Sequence, residues 1–164
     1  MNKSVDLLLD GHITIVGLGL MGGSLAIALQ DKCAGITAVE IDAHTRHMGL
    51  ERGLVDYATK NLEDGLKHAD ILVLATPVRA ILKTLEELNR LSDHADGTLL
   101  VLDLGSTKAQ VASAMALLPK NLSGIGGHPI CGKETGGLEY ADASLYQDAV
   151  FVLTPQTSTD QKML

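Results

Sequence analysis

Residues 126–137, GGHPICGKETGG, set one imidazole, one amine and one carboxylate among five glycines. Glycine disfavours helix and strand alike, so the stretch predicts a loop with little bulk around the ring of His128. With Pro129 limiting how far the chain can relax, Gly126 and Gly127 are read as clearing access to that ring. A neutral imidazole held this way could accept a proton from a hydroxyl as hydride leaves the neighbouring carbon.

A second loop could work with it. Residues 103–108 read DLGSTK, and Ser106 could hydrogen-bond the imidazole or a substrate; as a hydroxyl opening a helix it could equally be an N-cap. The other histidines, His12, His44, His47, His68 and His94, fall in helices, at a strand start or in polar connections, and are read as structural or solvated. No cluster of His, Cys and carboxylate has metal-ligand spacing, so no metal is expected. Cys33 and Cys131 lie far apart without a CxxC pattern, which predicts free thiols.

A third loop carries a fingerprint. Gly17-Leu18-Gly19-Leu20-Met21-Gly22 is a GxGxxG that follows an apolar β-branched run and opens an apolar helical stretch. In that setting the first glycine permits a tight turn, the second lets the backbone approach a pyrophosphate, and the third lets helix and strand pack closely. N–H groups of the first helical turn, Leu20 and Met21 among them, would face the diphosphate. Asp42, twenty residues beyond Gly22, is read as the carboxylate that accepts from a ribose diol, favouring NAD over NADP, with Arg46 nearby able to offset a phosphate charge. The alternative is a glycine turn used only for packing. Ala75-Thr76-Pro77 ends another strand, either beside the cofactor crevice or as a plain turn.

These loops need strands behind them and helices after them. Strands are predicted at residues 12–17, 36–41, 71–75, 98–102, 122–125 and 149–153, with helices at 20–30, 43–52, 78–91, 107–117 and 137–143. Alternation of this kind implies parallel pairing and right-handed crossovers. The expected fold is α/β: a Rossmann-type, doubly wound, mainly parallel sheet of six or seven strands with helices on both faces.

Composition narrows the partners. The chain has 164 residues, enough for one domain with a sizeable core. Its net charge of −7 repels a phosphate backbone, and three Tyr, one Phe and no Trp leave no platform for stacking bases. No apolar run reaches membrane-spanning length, and Asp6 and Asp10 interrupt the start where a signal peptide needs an apolar core. A cytoplasmic protein without nucleic-acid or membrane partners is expected. Residues 158–161, STDQ, have the form of a capping box that opens a helix, although a frayed tail would look the same.

GLGLMGGSLA at 17–26, DLGSTK, GGHPICGKETGG and FVLTP at 151–155, in this order and spacing, resemble the prephenate and arogenate dehydrogenases of tyrosine biosynthesis. The resemblance covers nearly the whole chain. It implies NAD-dependent oxidative decarboxylation of prephenate to 4-hydroxyphenylpyruvate, or of arogenate to tyrosine. It implies further that His128 withdraws the proton of the ring hydroxyl, that Ser106 supports it, and that Glu134 lies near the substrate. Lys133 stands where many relatives carry a hydroxyl residue, which bears on substrate preference. In the family a helical domain follows, forms the homodimer and supplies an arginine for the substrate carboxylates. Residues 1–155 then read as the cofactor domain with the catalytic histidine, and 156–164 as the start of a truncated linker or helix. Two other readings stay open: a β-hydroxyacid-type dehydrogenase, which shares the GLGxMG start but uses a lysine on a later helical domain, and a non-enzymatic NAD-binding sensor.

Overall fold

A computed structural model of the chain describes residues 10–91 and 98–156. Seven strands form one sheet: β1 His12–Val16, β2 Gly35–Val39, β3 Tyr57–Thr59, β4 Ile71–Leu74, β5 Leu99–Asp103, β6 Leu122–Pro129 and β7 Phe151–Pro155. Their order is β3-β2-β1-β4-β5-β6-β7, parallel throughout except that β7 runs antiparallel to β6. The described helices are α1 Leu20–Leu29, α2 Ala43–Glu51, α3 Leu62–Leu66, α4 Val78–Leu91 and α5 Ala109–Met115.

Period-two alternation sends successive side chains of each strand into two different cores. Ile13 and Ile15 pack with Ala26, Ile36, Val55 and Leu138 on the α1 and α2 side. Val16, Leu72, Leu74 and Val101 pack with Leu66, Ile81, Leu85, Leu88 and Val111 on the side of α3, α4 and α5. In α4 the buried residues Ile81, Leu85 and Leu88 recur at helical spacing and form one stripe toward the sheet. Each such fully buried Leu or Ile contributes roughly 1.5–3 kcal/mol. The doubly wound expectation therefore holds, with both sheet faces covered.

Several boundaries differ from expectation. The short β3 and α3, of three and five residues, carry too little periodicity to show in the sequence. Strand β2 stops at Val39, two residues before the expected end at Ile41, which stands 87% exposed. Strand β6 continues past residue 125 to Pro129, so His128 lies within a strand; antiparallel pairing with β7 supplies the hydrogen bonds that carry its glycines along. Helix α5 begins at Ala109, after Ser106 and Thr107. The helix expected at 137–143 is two 3-10 turns, Leu138–Tyr140 and Ala143–Tyr146, and the last strand is shifted to 151–155. The STDQ segment and His94 lie outside the described residues.

Candidate functional site

Strand β1 stands between β2 and β4, so the connections leave it in opposite directions and a crevice opens at the carboxyl ends of β1 and β4. The glycine turn sits at that point. Gly17 takes φ +91°, a left-handed conformation open to glycine, and its N–H donates to Val39 O at 2.8 Å. A Cβ on Gly22 would lie 1.9 Å from Gly17 O, so the third glycine is required by contact with the first. A Cβ on Gly19 would meet nothing within 4 Å, which leaves open space in front of the α1 N-terminus. The N–H groups of that first turn have no intrahelical acceptor and point into this space.

The acid at the crevice is Glu40 rather than Asp42. Glu40 follows β2 directly, its Oε2 accepts from Leu18 N–H at 2.8 Å, and its Oε1 accepts from Asp42 N–H at 2.9 Å. Asp42 instead caps α2: Oδ1 accepts from the Thr45 N–H at 2.7 Å and from its hydroxyl at 2.9 Å. Those bonds hold the Asp42 carboxyl below the usual carboxylate range. The sequence places the strand end at Ile41, beside Asp42, whereas pairing with β1 ends the strand at Val39 and leaves Glu40 directly after it. A strand of five residues, matched to its neighbour β1, would have pointed to Glu40. Arg46 is pinned to the main chain, donating through Nη1 to Glu40 O at 2.6 Å and Ile41 O at 2.9 Å.

A cleft of about 390 Å³ is lined by Gly17, Glu40, Ile41, Asn61 and Thr76 among others. A second hollow of about 290 Å³ is lined by Leu20, Met21, Ala75, Thr76, Pro77 and Ser106 among others. Thr76 borders both, so the two are neighbours along the edge of the sheet. Of the expected cofactor residues, Gly17, Leu20, Met21, Ala75, Thr76 and Pro77 line these hollows, Gly19 and Gly22 belong to the adjoining glycine turn, and Asp42 lines neither. Among the described residues, two buried side-chain polar atoms have no partner, Thr76 Oγ1 and His128 Nδ1, and both stand at this edge. Buried polar atoms are normally satisfied, so the Thr76 hydroxyl, which borders both hollows, and the His128 ring stand out as candidate contacts for a bound molecule. The open space before α1, the free first-turn N–H groups and the Glu40 carboxylate fit a dinucleotide.

His128 stands on β6, one strand beyond the loop of Ser106, and lines neither hollow. Ser106 is exposed, lies three residues before α5 and is not its N-cap; that position belongs to Lys108. No hydrogen bond joins Ser106 to His128 among the described residues. The reading of the two glycines also changes. A Cβ on Gly126 would press on Thr154 and Lys108 at 3.2–3.3 Å, and one on Gly127 would come within 2.9 Å of Asp103 O, Phe151 and Leu102. They make room for neighbouring strands and the Lys108 side chain.

Glu134 is exposed, and Lys133 Nζ donates to Tyr140 O and Asp142 Oδ2, each at 3.4 Å. The chain after this loop returns onto α1: Ser24 Oγ accepts from Asp142 N–H at 2.9 Å, and a Cβ on Gly23 would collide with Leu138 at 2.4 Å. Both cysteines are free, and burial pushes the Cys131 thiol up, away from a reactive thiolate. Among the described residues no group of His, Cys, Asp and Glu could hold a metal ion, and no helix is long and apolar enough to cross a membrane.

Comparison with known proteins places this geometry. Residues 25–164 match the family model described as prephenate dehydrogenase, nucleotide-binding domain. The chain is 34% identical to the prephenate dehydrogenase of Bacillus subtilis over 99% of its own length and 43% of that protein. It is similar to the crystal structure of Synechocystis arogenate dehydrogenase, with TM-score 0.83 and 36% identity over 93% of this chain and 52% of that one. Prephenate dehydrogenase from Aquifex aeolicus, solved in complex with hydroxyphenyl propionate and NAD+, superimposes with TM-score 0.81 and 32% identity over 98% of this chain and 55% of that one. The chain therefore spans about half the length of the relatives it matches. By the family match and by similarity along more than nine-tenths of its length, the chain belongs to the family of prephenate dehydrogenase nucleotide-binding domains.

Proposed function

We propose that this chain is the cofactor-binding part of an NAD-dependent dehydrogenase that converts prephenate to 4-hydroxyphenylpyruvate, or arogenate to tyrosine, in the cytoplasm. The observation that carries the reading is the gathering of the glycine turn, Glu40, Thr76 and His128, whose buried Nδ1 lacks a partner, at the carboxyl ends of the strands, within a chain of this family. A homodimer built by a helical domain following residues 1–155, with 156–164 leading into it, belongs to the same proposal. So does the absence of nucleic-acid and membrane partners, in keeping with the acidic charge.

In this reading the first-turn N–H groups of α1 hold the diphosphate, and the Glu40 carboxylate accepts from a ribose diol. Its charge disfavours a 2′-phosphate, and Arg46, bound to carbonyls, does little to offset that. Bound NAD supplies the hydride acceptor. His128 takes the proton of the substrate ring hydroxyl as hydride leaves the carbon that bears it, and the ring carboxylate departs as carbon dioxide, which makes the ring aromatic. Ser106 hydrogen-bonds the substrate or the imidazole once both are in place; Glu134 and Lys133 lie on the loop that would flank the substrate.

The test is NADH formation from prephenate and from arogenate, by this chain alone and joined to the helical domain of a relative, with His128→Asn beside it. Turnover that falls at least a hundredfold in His128→Asn with NAD affinity unchanged supports the assignment. Equal turnover in the variant, or none with either substrate in the joined protein, sinks it.

A further inference from the structure

The residue before His128 is clamped from the other catalytic loop. Asp103, at the end of β5, is fully buried, and its Oδ1 accepts from Gly105 N–H at 2.9 Å and from Lys108 Nζ. Its Oδ2 accepts from Gly127 N–H at 3.3 Å. Lys108 Nζ also donates to Gly127 O at 2.6 Å. Both backbone groups of Gly127 are thereby held by one ion pair, whose lysine side chain is only 20% exposed.

The β5–β6 backbone ladder ends at the pair Asp103 and Gly126, so Gly127 is where side chains take over from main chain in joining the two strands. A buried charge with a single partner would be costly, whereas here each carboxylate oxygen and the ammonium have further bonds. The glycines are needed for this arrangement, because the lysine stem runs across Gly126 and a Cβ on Gly127 would strike Asp103 O. The loop between the two partners contains Ser106, so the same pair sets the spacing of Ser106 from His128.

The geometry points to Asp103 and Lys108 as positioning residues: their ion pair fixes Gly127 and so the place of the His128 ring relative to Ser106. This rests on the reading of His128 as the proton acceptor, but it is tested without turnover. In isotope-labelled chain, nuclear magnetic resonance reads the exchange rate of the Gly127 amide and the ring signals of His128, with His12, at the amino end of β1 three strands away, as internal control. In Lys108→Met the Gly127 amide is expected to exchange at least tenfold faster and the His128 ring signals to double or broaden, while His12 is unmoved and NAD affinity stays within twofold. Lys108→Arg, which restores a cation with several donors, should return both readouts toward wild type. If Lys108→Met does not fold, Asp103→Asn/Lys108→Met removes both charges and carries the same expectation.

Wild-type exchange at Gly127 with a single His128 ring signal in the folded variant would overturn the proposal. So would an equal disturbance at His12, which would mark a general loss of structure, or a larger fall in NAD affinity. Failure of the dehydrogenase reading would show separately, as unchanged turnover in His128→Asn.

Discussion

Glu40 Oε2 accepts a hydrogen bond from the Leu18 N–H at 2.8 Å, tying the end of the second strand to the middle of the glycine turn. One carboxylate thus holds the turn in shape and lines the cleft, where the proposed function has it accept from a ribose.

Glu40→Ala removes both functions, and hydrogen bonds to a charged group contribute about 1.5–3 kcal/mol. NAD affinity should fall at least about tenfold by calorimetric titration. Asp42→Ala should leave NAD affinity within about threefold and lower Tm instead, because the lost group is a helix cap. The reverse pattern would return the ribose role to Asp42.

Gly22→Ala forces a methyl onto Gly17 O, a backbone atom that cannot swing aside. Overpacking of this kind costs about 3 kcal/mol and displaces the turn. Urea denaturation should show the loss of stability and titration the loss of NAD binding, whereas Gly19→Ala, with open space around it, should retain most of the stability.

Tyr146 donates its phenolic proton to Met21 O at 3.0 Å, joining the chain after the histidine loop to the nucleotide helix. Tyr146→Phe should destabilise the protein by about 1 kcal/mol in urea unfolding. Burial pushes the phenol well above the ordinary tyrosine value of 10.0. The unfolded chain therefore loses this proton first, and stability should decline as pH rises above about 10. Tyr146→Phe should flatten that decline.

His12 behaves in the opposite sense. Burial holds its pKa below the ordinary 6.5, against the attraction of Asp56 and Asp70 and with the help of His68. Its Nε2 pairs with Thr37 Oγ1 at 2.8 Å. The folded state binds the proton less readily than the unfolded state, so the stabilisation is complete above about pH 6.5 and is lost as pH falls below it. Urea midpoints at about pH 7.5 and 5.5 should differ by less in His12→Gln than in the parent chain.

Much of the fold was legible because its signals are local. The strand, glycine turn and helix at 12–29 follow from β-branched residues, a fingerprint and an apolar run that lie side by side, and the amphipathic stripe of α4 gave its bounds directly. What failed was whatever depended on a partner strand. The end of β2 is set by pairing with β1 and β3, not by the outlying Ile41, so Glu40 rather than Asp42 directly follows the strand. The extent of β6 is set by β7, so a run of glycine, histidine and proline that looks like a loop is held extended.

By itself the sequence determined the alternation of strands and helices, the dinucleotide turn and the motif that carries His128, because each is written in adjacent residues. Only the tertiary structure decided which acid faces the crevice, that Gly126 and Gly127 exist to admit Lys108 and neighbouring strands, and that Asp103 and Lys108 grip the residue before the histidine. Those facts join residues some twenty positions apart through contacts, and contacts across a sheet leave no periodic trace along the chain.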